Sequence, residues 1–110
     1  MAEPTLTQIF GAGAAQNSTT LTISKADLTG LTASANNSAE SLFVALLLKA
    51  KDYLTTANYD ANTDQSVTIV TPDFGAQSLV TRNNTQYRQY VQTVNLYKVD
   101  NSSAIDPDDF

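Results

Sequence analysis

Asp60-Ala-Asn62-Thr-Asp64-Gln-Ser66 is the stretch of this 110-residue sequence that comes nearest to a chemical site. Oxygen-bearing side chains at alternate positions of a turning loop can converge on one cation, and Asp-x-Asn-x-Asp opens a common calcium-binding loop. Asp60, Asn62, Asp64 and Ser66 are therefore the candidate metal ligands, with calcium the candidate ion. The pattern then departs twice. Gln65 stands where the sharp turn takes glycine, and Thr71 stands at the twelfth position, where a bidentate Glu belongs. A β-branched run follows in place of a second helix. The loop is read first as a solvated helix-to-strand connection with no cofactor. A calcium or small-ligand site there is the alternative.

Other chemistry is excluded or weakly supported by residue type. The chain has no Cys, no His and no Trp, which removes thiol nucleophiles, disulfides, zinc fingers and a Ser-His-Asp triad. Asp106, Asp108 and Asp109 form a carboxylate group, but acid/base work needs a concave setting that a terminal segment rarely offers. Gly11-Ala-Gly13 lacks the third glycine, the lysine and the preceding strand of a phosphate loop. Tyr87, Tyr90 and Tyr97 with Arg82 and Arg88 could stack and neutralise nucleic acid. Six basic against eleven acidic residues, a net charge of −5, argues against it. The expectation is a protein that is not an enzyme and binds neither nucleic acid nor membrane.

The elements that must position these residues follow from hydropathy patterning. Residues 1–17 read as a flexible arm whose Leu6, Ile9 and Phe10 either fray or dock on a neighbouring surface. Met1–Gln16 does not read as a secretory signal, and no apolar run approaches the roughly 18 residues of a membrane span. Residues 18–24 alternate as a strand. Asn37 reads as the N-cap of a helix over about 38–56, with Glu40 at its third position as a capping box. Leu42, Phe43, Leu46, Leu47, Ala50, Tyr53 and Leu54 share its broad face, while Val44 and Leu48 lie on the opposite side. Residues 57–65 read as a polar loop. Strands follow over 66–71, 77–82 and 86–99, with a turn at Arg82-Asn83-Asn84-Thr85. Along 86–99, Tyr90, Val94 and Leu96 occupy one face and Tyr87, Val91, Tyr97 and Val99 the other. Residues 100–110 form an acidic, loosely attached tail. The expected fold is α+β: a mostly antiparallel sheet of about four strands, the last three as a meander, with one helix across one face, in the order β-α-β-β-β, as a single domain over 18–99.

Charged residues make up only 15% of the chain, against about 25% in an average domain. Fifteen Thr, nine Ser, nine Asn and seven Gln replace them. Set beside this neutral surface, Leu6, Ile9, Phe10, Val44, Leu48, Tyr87, Val91 and Tyr97 are more apolar side chains than one helix-on-sheet layer needs, and they are the expected interface. The stretches Glu40–Lys49, Asp64–Val70 and Ile105–Phe110 give residues 38–110 a further aspect: they resemble a group of short uncharacterised proteins of cyanobacterial genomes and their phages. That resemblance carries no catalytic motif. It implies a small structural or assembly-type protein, of virion origin. The expected partner is the chain itself, or other assembly proteins, and the expected location is cytoplasmic or in a virion.

Overall fold

The computed structural model describes residues 2–73, 76–100 and 104–110. Its elements run α1 (Leu6–Phe10), β1 (Ala15–Gln16), β2 (Leu21–Thr22), α2 (Ala39–Tyr53), α3 (Thr56–Ala61), β3 (Val67–Val70), β4 (Gln77–Arg82), β5 (Thr85–Tyr90) and β6 (Thr93–Leu96). Short 3-10 turns occupy Lys25–Asp27 and Pro107–Asp109. This is an α+β domain with one main helix and antiparallel strands, as the patterning predicts.

The strands do not join into one four-stranded sheet. They form three separate antiparallel pairs, β1 with β2, β3 with β6, and β4 with β5. The expected meander is absent because β3 skips its sequence neighbour β4 and pairs with β6, from Val67 opposite Leu96 to Val70 opposite Thr93. Six residues separate β3 from β4 and only two separate β5 from β6, so the two ladders cannot share one register. Pro72 falls at this break, where a residue without an N–H cannot continue a ladder. The predicted 86–99 strand is likewise interrupted at Val91 and Gln92. The β4–β5 hairpin is thus an excursion at the end of the β3–β6 pair.

Local capping chemistry sets the helices. In α2 the N-cap is Ser38, whose Oγ accepts from the Ser41 N–H at 3.1 Å. Asn37 instead braces the preceding loop, accepting from the Ser34 N–H at 2.9 Å and donating to the Thr32 carbonyl at 3.0 Å. Glu40 consequently falls at the second helical position, not the third. The 57–65 loop contains α3, capped by Thr55, whose hydroxyl accepts from the Asn58 N–H at 3.1 Å. The arm contains α1, closed by a Thr5–Gln8 capping box, with bonds of 3.2 Å and 2.8 Å. α1 packs along α2, leaving Leu6, Ile9 and Phe10 half-buried against their own chain.

Gly11 makes this return possible. It ends α1 at φ 107°, in a region L side chains rarely adopt, and a Cβ there would lie 2.4 Å from that of Asp27. The Asp27 carboxylate accepts from the Gly13 N–H at 2.8 Å, so the Gly-Ala-Gly stretch wraps an acidic side chain of its own chain.

Among the described residues only Leu28, Ala45, Leu54 and Ile69 are buried apolar side chains. Ala45 is the buried residue of α2, while Phe43, expected on the core face, is 59% exposed. β3 carries this thin core, its Ile69 N–H donating to the Leu54 carbonyl at the end of α2, 2.9 Å away.

Candidate interaction surface

The Asp60–Ser66 segment is used for folding. Asp60 belongs to α3. Asn62 is buried, its Oδ1 accepting from the Asp64 N–H at 3.0 Å and its Nδ2 donating to the Ala2 carbonyl at 2.7 Å. Gln65 is 2% exposed and donates to the carbonyls of Thr55, at 3.2 Å, and Val67, at 2.8 Å, while its Oε1 lies buried with no protein donor. Ser66 receives the Tyr97 N–H on its carbonyl at 2.8 Å. Of the four candidate ligands Asn62 has its Oδ1 committed to the Asp64 N–H, and Asp60 and Ser66 line one open pocket with Tyr59 and Tyr97. Among the described residues no three carboxylates gather. The C-terminal acidic group is engaged too: Asp106 accepts from the Asp108 N–H at 3.0 Å, and Asp109 pairs with Lys98 at 3.1 Å.

Among the described residues exposed and half-buried apolar side chains gather on several surfaces, the Leu42, Phe43, Leu46 and Leu47 face of α2 among them, and two bear on association. The first is the back of α2. Val44 is 55% and Leu48 43% exposed, as their spacing predicts. They line a shallow groove between α2 and the Thr29–Leu31 segment, with Glu40 at one end and Asp52 at the other. Residues at every fourth position form a ridge that drifts about 40° round the helix per step, so Glu40, Val44, Leu48 and Asp52 wind along about 18 Å of α2. Lys51, beside Asp52, is held by the Thr71 hydroxyl, which in turn donates to Gln92 at 3.0 Å.

The second is the β4–β5 hairpin. All twelve of its strand residues are exposed, and the two strands pack chiefly on each other. Asn83 at φ 52° and Asn84 at φ 61° make the tight turn, the positive-φ geometry that matches strand twist. Directly opposed residues share a face. Val80 lies opposite Tyr87, with Arg82 on the same face, its guanidinium 5.1 Å from the Tyr87 ring centre. Leu79 lies opposite Arg88, with Tyr90 beside them. Each face thus combines one aliphatic side chain, one tyrosine and one arginine.

The structure separates the residues expected to form one outer face of the 86–99 strand. Tyr87 sits on the hairpin, Val91 is half-buried at the break, and Tyr97 stacks on Tyr59 with ring centres 4.6 Å apart. The three tyrosines make no common stacking platform, since Tyr87 and Tyr90 face opposite ways. Leu79, Val80 and Phe43 join the exposed apolar set although patterning did not single them out. Adjacent Leu79 and Val80 in a strand must face opposite sides, and that was the available signal for a ribbon apolar on both faces.

No protein-family model matches this chain, and neither a curated protein nor a solved structure is similar to it. Among the described residues no helix is long and apolar enough to cross a membrane.

Proposed function

We propose that this chain is a non-enzymatic structural protein that works in a homo-oligomer or larger assembly. One observation carries the reading: the surface is too large for the mass. The accessible area is 8076 Å² for 11.8 kDa. A compact monomer of this mass exposes about 5,900 Å². The radius of gyration is 16.3 Å, against about 13 Å for a compact domain of this length. The surplus of about 2,200 Å² exceeds the roughly 800 Å² that one partner contributes to a standard interface. Thirteen large apolar side chains are exposed among the described residues, against three buried ones, Leu28, Leu54 and Ile69. A phage or prophage virion is the setting implied by the resemblance of residues 38–110.

Light scattering on the purified chain tests the assembly reading. The expected result is a mass above that of the monomer at micromolar concentration, reduced by Leu48→Asp with the far-ultraviolet circular dichroism unchanged. A monomer for both wild type and variant overturns it.

A further inference from the structure

From the hairpin and the groove together, we infer that the β4–β5 hairpin of one copy docks in the α2 groove of a second copy, a head-to-tail contact. The inference rests on the assembly reading above and names its interface. An isolated two-stranded ribbon is at best marginally stable in water, so a hairpin exposed on both faces needs a surface to lie against.

Charge identifies that surface as another copy of this chain. Residues 77–90 hold two of the six basic residues and none of the eleven acidic ones, +2 against −7 for the rest of the sequence. The groove places Val44 and Leu48 between the carboxylates Glu40 and Asp52, with Lys51 lining the Asp52 end and donating to the Thr71 hydroxyl. The hairpin face that meets it carries Val80 and Tyr87 beside the Arg82 guanidinium, while Leu79, Tyr90 and Arg88 lie on the other face. Lengths agree as well: six-residue strands span about 20 Å and the groove row about 18 Å. The donor and acceptor surfaces differ, so each chain can give its hairpin to one neighbour and receive another's. Such contacts close into rings or extend as filaments.

Charge reversal tests the pairing. Two full-length variants are made, Arg82→Glu, and Glu40→Arg with Asp52→Arg. Each alone is expected to self-associate at least about tenfold more weakly than wild type at low salt, measured by sedimentation. Mixed in equal amounts they are expected to recover wild-type association, because each then meets an opposite charge. Wild-type masses for the separate variants, or no recovery on mixing, overturn the docking while the assembly reading stands. A wild type that stays monomeric overturns both.

Crosslinking supplies a readout independent of those variants' folding. The chain has no cysteine, so Val80→Cys and Leu48→Cys chains mixed in equal amounts under mild oxidation should form the mixed disulfide dimer well beyond the twofold excess over either like pair that random pairing gives. A mixed dimer at or below that twofold excess overturns the contact.

Discussion

Asn62 and Gln65 show what the Asp60 loop is built for. Each directs its amide into the backbone of another segment, Asn62 to Ala2 and Gln65 to Thr55 and Val67. The Asn62 and Gln65 amides are themselves buried, so leaving them without those carbonyls would cost more than forming the bonds contributes. Gln65→Ala leaves two carbonyls without that donor and opens a cavity. It should lower unfolding stability by about 2–4 kcal/mol in urea titrations. Millimolar calcium should leave the wild-type melting temperature unchanged, because Asn62 Oδ1 already holds the Asp64 N–H. A calcium-dependent rise would restore the ligand set Asp60, Asn62, Asp64 and Ser66. The spacing of those residues was legible in the sequence. Their actual partners were not, because Ala2 lies sixty positions away and only the folded chain brings it to Asn62.

At the scale of elements, the caps decide more than the apolar periodicity. Thr5-x-x-Gln8 and Thr55-x-x-Asn58 begin α1 and α3, two helices that periodicity alone reads as arm and loop because they are one or two turns long. Ser38 outcompetes Asn37 for the start of α2 because Asn37 is committed to Ser34 and Thr32. The Asn83-Asn84 turn, by contrast, follows directly from residue type, since Asn tolerates positive φ. Asn84→Gly removes the remaining side-chain cost at φ 61° and should slow hydrogen exchange across β4 and β5 by a few-fold. Thr5→Ala should cost about 1 kcal/mol and expose the α1 contact on α2 to faster exchange. Unchanged exchange in α1 would mean that packing, not the cap, holds the arm.

For the whole molecule, the thin core and the large surface are two views of one property. Among the described residues Leu28, Ala45, Leu54 and Ile69 are few buried apolar side chains for a 110-residue chain, and on the proposed assembly reading association supplies part of the stability. A partner that binds only the folded chain raises the melting temperature by mass action. Thermal unfolding should therefore rise with protein concentration between about 1 and 100 μM, where a stable monomer would show no dependence. Added salt should diminish that rise, since about 8 Å of screening at physiological ionic strength weakens contacts of the Arg82 type.

The sequence by itself determined the α+β class, the main helix, strand β3, the Asn-Asn turn and the exposure of Val44 and Leu48. Each depends on interactions within a few residues, where spacing maps directly onto geometry. Only the tertiary structure decided that β3 pairs with β6 and not β4, that α1 turns back onto α2, and that the β4–β5 ribbon carries apolar side chains on both open faces. Those outcomes depend on which distant backbone groups find partners first. Pairing across twenty or more residues trades loop entropy against hydrogen bonds and burial, and local hydropathy does not record that balance.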